Sequence, residues 1–312
     1  MQVNTRAAHD AATARMTGLR AQIDALQAAI ATGQRIATPD ADPVGSARLL
    51  AIDRALSANA AQKNGIDRAA SHLTATDAAL AGVGAVVQRA KEIALLGNNA
   101  ALNMADRATL AAEVGQLAEQ LTGYANTRDS DGASLFGGAR TGVAAYAVDA
   151  TGATAWQGAW SAGVLALDDG ALPTGIAGPA AFAGLPGPPD ATGAPTSTDA
   201  FAMLGMLAVA LAGADPVARA AGLAAAQSGL DAAVSRNADT RATVGTRLAR
   251  LDTETARLDA AATRLTTDQT DTGSLDMAAA IARLQRLTTV LQAAQLSFVK
   301  VSGLSLWDYV RP

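Results

Sequence analysis

Seven residues spaced seven apart, Leu223, Leu230, Asn237, Val244, Leu251, Leu258 and Leu265, constrain this chain more than any other feature. Such a repeat keeps one stripe of an α-helix turned toward a partner over many turns. It predicts a very long helix that begins at Asp215-Pro216, where an aspartate can cap and a proline suits the first turn, and breaks at Asp271 to Ser274. A second seam, Ile66, Leu73, Leu80, Val87 and Ala94, predicts another long helix from near Val44 to about Leu96.

Shorter helical text surrounds these two. Met16, Leu19, Ile23, Leu26 and Ile30 alternate three and four apart, as do Met277, Ala280, Leu284, Leu287, Leu291, Ala294, Phe298 and Val301, so each end of the chain carries a helix with one apolar stripe. The first stripe stops at Thr32-Gly33, and Pro39, Asp40, Asp42, Pro43 and Gly45 make a turn-rich loop. Gly97-Asn98-Asn99 breaks the second helix. Asp106 is the expected N-cap of a third, with Leu110, Val114, Leu117 and Leu121, ending near Tyr124 to Asn126. Ser197-Thr198-Asp199 is expected to cap the apolar helix that starts at Phe201.

From Thr141 to Thr198 the heptads give way to glycine, proline, threonine and alanine, with Tyr146, Val148, Trp156 and Trp160 in short extended runs. Short strands and turns are expected there. Pro173, Pro179, Pro186, Pro188, Pro189 and Pro195 confine the later part to loops or edge strands. The order is therefore nested: terminal helix, long helix, insert, long helix, terminal helix. The fold class is mainly α, an elongated helical coiled-coil or bundle rod that brings the two ends together and carries a small β-rich insert.

Several function classes fall away. A net charge of −4 offers no electrostatic footprint for nucleic acid or an anionic membrane surface. No cysteine is present, so thiolate chemistry, disulfides and Cys-bound metals are excluded. His9 and His72 are the only histidines, too few for a histidine metal site, and both are read as solvent-facing helix residues. Asp40 with Asp42, and Asp129 with Asp131, sit beside Gly or Pro and are read as turn and capping residues rather than an acid-base pair. Asp168-Asp169 is no more persuasive as a hydrolytic pair. Gly137-Gly138 near Arg140 lacks the spacing of a phosphate loop and is read as the glycine pair that leaves the helical text. The longest apolar run, Phe201 to Ala214, is too short to span a bilayer, and no apolar signal region follows Arg6. No enzyme activity, cofactor, metal site or transmembrane segment is expected.

Three segments carry a resemblance to a known family. Ile30-Ala31-Thr32-Gly33-Gln34-Arg35-Ile36, followed by Pro39-Asp40-Ala41-Asp42-Pro43-Val44, is similar to the flagellin superfamily's "I-S-T-G-K-R-I … P-x-D-D-P" stretch, with Ala31, Gln34 and Ala41 departing from it. Tyr124-Ala125-Asn126-Thr127-Arg128-Asp129, then Asp131-Gly132 and Leu135-Phe136-Gly137-Gly138, resembles that family's "A-N-T-x-D-x-x-G-x-Y-L-F-G-G". Ser305-Leu306-Trp307-Asp308-Tyr309-Val310 resembles the "S-L-L-D-Y-L" ending of members found where the flagellar hook meets the filament.

The resemblance implies a terminal coiled-coil core domain (1–40 and 272–312), a helical rod domain (41–140 and 199–271) and an inserted outer domain (141–198). It also implies an extracellular structural subunit of the bacterial flagellum, exported uncleaved by the flagellar type III apparatus. The implied partners are copies of itself, a neighbouring hook-associated protein on the hook side, flagellin on the filament side, and an export chaperone at the C-terminal helix; no nucleic acid or membrane is implied. Leu19, Ile23, Leu26, Ile30, Leu284, Leu287, Leu291, Phe298 and Val301 are the expected assembly interface. Their narrow seams offer little core of their own, so the terminal helices are expected to be poorly ordered in the monomer and to fold on assembly. The alternatives are a filament-forming flagellin and, from another class, a soluble coiled-coil adaptor.

Overall fold

The computed structural model describes residues 5–36, 38–149, 153–168, 170–190, 192 and 194–303; the expectation resting on Ser305 to Val310 lies outside them. Seven helices are present among the described residues: α1 (Thr5–Thr32), α2 (Pro43–Gly97), α3 (Met104–Ala125), α4 (Gly178–Phe182), α5 (Ala200–Ala212), α6 (Pro216–Gly273) and α7 (Met277–Gly303). The strands are β1 (Tyr146–Val148), β2 (Thr154–Trp156), β3 (Val164–Leu167), β4 (Gly170–Pro173), β5 (Ala183–Gly187) and β6 (Thr196–Asp199). The chain divides into two compact units, one of Met1–Ala60 with Leu258–Pro312 and one of Ala61–Arg257. The expected long helices extend over 55 and 58 residues.

In the unit of Ala61–Arg257, α2 and α6 run antiparallel and bury the heptads that the spacing singled out. Ile66, Leu73, Leu80, Val87 and Ala94 are at most 2% exposed, and so are Leu223, Leu230, Val244 and Leu251. Each such leucine contributes about 2 kcal/mol by leaving water. Asn237, the polar member of the repeat, is buried and its Nδ2 donates to the carbonyl of Leu80 at 2.9 Å. Gly84 faces it, where an added Cβ would stand 3.0 Å from Asn237 Oδ1. A satisfied amide at one heptad position favours one register of two otherwise sliding apolar seams.

Helix α3 packs along α5 in the same unit. Its cap corrects the sequence reading. Asn103, not Asp106, is the N-cap: its side chain accepts from the Asp106 amide at 2.9 Å, and the Asp106 carboxylate accepts from the Asn103 amide at 3.3 Å. The two side chains satisfy each other's backbone in a capping box, a pattern in which the residue three positions inside carries the acid. At α5 the cap is Asp199, as expected, accepting from Ala202 N at 2.8 Å.

The insert consists of three two-stranded antiparallel hairpins, β1-β2, β3-β4 and β5-β6. Every strand is thus an edge, which accommodates Pro173 and Pro186 within strands. The short helix α4 was not anticipated; Pro179 falls in its first turn, where a missing N–H costs nothing. Phe136, Tyr146, Phe182 and Phe201 form the aromatic core, with ring centroids 4.7–5.5 Å apart and all four side chains buried. Burial, and then the charge of Asp199, raises the Tyr146 hydroxyl pKa.

Candidate assembly interface

In the unit of Met1–Ala60 with Leu258–Pro312, α1 and α7 pack antiparallel along their apolar stripes. At one end of the pair the His9 and Phe298 rings lie 4.4 Å apart. At the other, the loop after α1 is joined to the loop between α6 and α7 by main-chain pairing of Gln34 with Ser274. Arg35 N donates to Gly273 O at 2.8 Å, and Leu275 N donates to Gly33 O at 3.0 Å.

These loops explain the first motif residue by residue. Gly33 ends α1 in the left-handed region (φ 69°), and its amide donates to Ala29 O at 2.9 Å. The Arg35 guanidinium donates twice to Thr272 O, at 3.1 and 2.8 Å, and stands 3.5 Å from the Asp42 carboxylate. Asp42 Oδ1 accepts from Gly45 N at 2.8 Å at the start of α2. Gly45 lies under the ends of the Ile36 and Asp42 side chains, and a Cβ there would have to displace both. The base of the α1–α7 pair is therefore held by backbone pairing and one guanidinium.

The second motif is equally physical. The Asn126 side chain pairs with both backbone groups of Tyr146, at 2.9 and 2.8 Å, so it stands in for a neighbouring strand where β1 begins. Asp129 Oδ1 accepts from Asp131 N and Ala133 N at 3.0 and 2.8 Å, and Gly132 takes φ 79° in that turn. Leu135 and Phe136 then enter the core, 1% and 0% exposed. Gly137 and Gly138 pair with Ala177 and Ala159, and a Cβ on Gly138 would overlap the Ala159 carbonyl oxygen. The glycine pair is a crossing of backbones rather than a phosphate cradle. The turn reading of Asp40 also fits: hydrogen bonds from Thr38, then from its own backbone, hold its carboxyl below the usual carboxylate range.

The residues expected at the assembly interface fall on the facing stripes of α1 and α7. Ile23 is buried, while Leu19, Leu26, Ile30, Leu284, Leu287, Leu291 and Phe298 are half-buried; Val301 lies on α7 but its side chain lies outside the described residues. Part of each stripe is thus covered within the chain. Apolar residues off the stripe were missed by the spacing argument: Ile281, Val290 and Leu296 are 44%, 47% and 69% exposed. Their signal is the excess of large apolar residues on α7 beyond those a single seam requires.

His72 corrects another reading, for it is largely covered rather than solvent-facing: its Nδ1 lies 2.8 Å from Asp129 Oδ2. Asp168 lies 2.6 Å from Arg257, which also pairs with the buried Glu254; Asp169 is outside the described residues. Among the described residues no group of three or more His, Cys, Asp or Glu side chains could hold a metal ion, and no helix is long and apolar enough to cross a membrane.

Residues 3–141 match the bacterial flagellin N-terminal helical region, and residues 228–309 match the bacterial flagellin C-terminal helical region. Flagellar hook-associated protein 3 of Escherichia coli (strain K12) is 26% identical over 294 residues, covering 89% of this chain and 90% of the relative. The crystal structure of FlgL from Xanthomonas campestris superposes with a TM-score of 0.63 at 19% identity, over 70% of this chain and 99% of that one. The flagellar junction protein FlgL from Legionella pneumophila gives 0.59 at 17% identity, over 65% and 98%. With both helical regions matched and the nested helices in place, the chain belongs to the bacterial flagellin family of flagellar structural proteins.

Proposed function

We propose that this chain is the structural subunit that joins hook to filament, working by packing rather than by turnover of a substrate. The observation that carries the reading is the similarity to hook-associated protein 3 along 89% of the chain. The antiparallel α1–α7 pair, with large apolar side chains left exposed on α7, supports assembly through the terminal helices. In this reading 1–40 with 272–312 form the inner core domain, 41–140 with 199–271 the rod, and 141–198 an outer domain. Leu19, Ile23, Leu26, Ile30, Leu284, Leu287, Leu291, Phe298 and Val301 pack among themselves and against neighbouring copies.

The proposed neighbours are a hook-associated protein on one side and flagellin on the other. Delivery is by the flagellar type III apparatus, with a chaperone on the C-terminal helix before export. Immunogold labelling of intact flagella tests the reading. A single band at the distal end of the hook is expected, and label along the whole filament would make the chain a filament-forming flagellin instead.

A further inference from the structure

Four arginines of α6 meet the insert in reverse order. Arg236 donates to Ala180 O and Gly184 O at 3.4 Å each, and Arg247 Nη1 donates to Gly175 O at 2.9 Å. Arg250 Nη2 lies 3.9 Å from where a Gly170 Cβ would stand, and Arg257 Nη2 lies 2.6 Å from Asp168 Oδ2. The insert residue's number falls as the arginine's rises, so this stretch of the insert runs antiparallel to the helix. From Arg236 to Arg257 that is about 31 Å of helix at a rise of about 1.5 Å per residue. Spacings of 11, 3 and 7 residues keep the four arginines within about 80° of arc, on one face of α6.

The two ends of the stretch are fastened differently. At one, Phe182 and Leu185 are each 1% exposed, and Phe182 belongs to the aromatic core. At the other, the turn between β3 and β4 carries Asp168, whose side chain is 68% exposed, so its ion pair with Arg257 is open to solvent. Arg257 is held from behind by the buried Glu254, which accepts from its Nε at 2.9 Å. A buried carboxylate thus sets the guanidinium fork and an exposed one completes it. Between the two ends the arginines reach past open space. A cavity of about 640 Å³ is lined by Ile176, Ala180 and Gly184 of the insert and by Ser235, Asp239 and Thr243 of α6. A second, of about 480 Å³, is lined by Val164, Leu165 and Gly175 and by Gly65, Arg68 and Ala69 of α2.

We propose that Asp168 to Gly184 form a strap, fastened along α6 by this arginine ladder, that peels from its Asp168 end while Phe182 and Leu185 hold the other. Rungs beside open clefts can part without opening the core, which is the pattern of local rather than global unfolding. The first rung is a solvent-exposed ion pair and weakens with salt. The Arg247 rung joins a half-buried guanidinium to a neutral carbonyl and is screened much less. The β3-β4 hairpin therefore lifts first, and more readily as ionic strength rises.

Native-state proteolysis of the full chain by thermolysin, with cut sites located by mass spectrometry, reads the peeled population, because cleavage follows the open fraction when reclosing is fast. Asp168→Asn removes the charge and keeps the shape. At low salt its cuts within the β3-β4 hairpin are expected to be about three- to fivefold faster than in the wild-type chain, with cuts at 182–185 unchanged. In about 1 M salt, where the Debye length is about 3 Å, the two chains are expected to be cut alike. Arg247→Gln is expected to speed cuts from the hairpin through Ile176 at either salt, and Arg241→Gln, on another face of α6, to leave them unchanged. Hairpin cuts no faster in Asp168→Asn than in the wild-type chain overturn the strap, and so does an acceleration that spreads equally to 182–185 or survives high salt. Should Arg247→Gln lose its helical circular dichroism, the Asp168→Asn series, in which only an exposed side chain changes, decides alone.

Discussion

Gly138→Ala is expected to destabilise the insert by about 3 kcal/mol. Gly138 sits at φ 61°, where an L-residue costs roughly 1–2 kcal/mol. The added Cβ would also overlap the Ala159 carbonyl oxygen and stand 3.0 Å from Ser161 O, both backbone atoms with no rotamer to yield. Relief requires the 137–140 turn to move off the strand end. That breaks Ala159 N to Gly137 O at 3.0 Å and Arg140 Nη1 to Gln157 O at 2.8 Å, each worth about 1 kcal/mol net. Gly132→Ala is the matched comparison: φ is 79°, but nothing lies within 4 Å of its Cβ, so only the backbone strain of roughly 1 kcal/mol applies. Urea unfolding followed by tryptophan fluorescence reads both, because Trp156 is anchored to Phe136 O at the affected site. A Gly138→Ala loss no larger than that of Gly132→Ala would refute the crossing of backbones as the reason for the glycine pair.

Asn103→Ala is expected to cost about 1 kcal/mol through loss of the α3 capping box, with Asp106→Asn costing less, as measured by urea unfolding followed by circular dichroism. Asp129 is expected to make the protein acid-sensitive: its folded pKa is lowered, so its contribution is present above the usual carboxylate range and is lost as pH falls through the folded value. Asp129→Asn should accordingly be less stable at neutral pH and show a flatter decline below pH about 4 in an acid titration. Arg241→Ala should cost under about 1 kcal/mol in thermal melts, despite bonds of 2.8 and 3.1 Å to Asp77, because both side chains are well exposed. Hydrogen exchange on the monomer should show weak protection from Thr13 to Ile30, and strong protection would contradict folding on assembly.

The long helices were legible because a seam repeated every seven residues has one structural solution, and Leu223 to Leu258 bury as that solution requires. The boundaries followed from breakers such as Gly97 and caps such as Asp199. The Asn103 cap was missed because two capping side chains three apart suggest either one as the start, and the acid drew attention to the wrong member. Helix α4 has five residues and no periodicity to detect. The His72–Asp129 contact spans 57 positions, and a lone histidine beside an apolar stripe gives no sign of a partner so distant. Exposed Ile281, Val290 and Leu296 lie off the three-and-four stripe of α7, and the spacing that marks the stripe carries no sign of apolar residues beside it.

Incorporation of Leu291→Asp and Phe298→Asp chains into flagella is the most direct measurement of whether α1 and α7 carry assembly. Each variant is expressed in place of the wild-type chain, and flagella are isolated and probed for the subunit. Both variants are predicted to be absent from isolated flagella, while the purified proteins keep the tryptophan-reported unfolding of the insert unchanged. Variant chains present at the wild-type level in flagella would contradict assembly through the terminal helices.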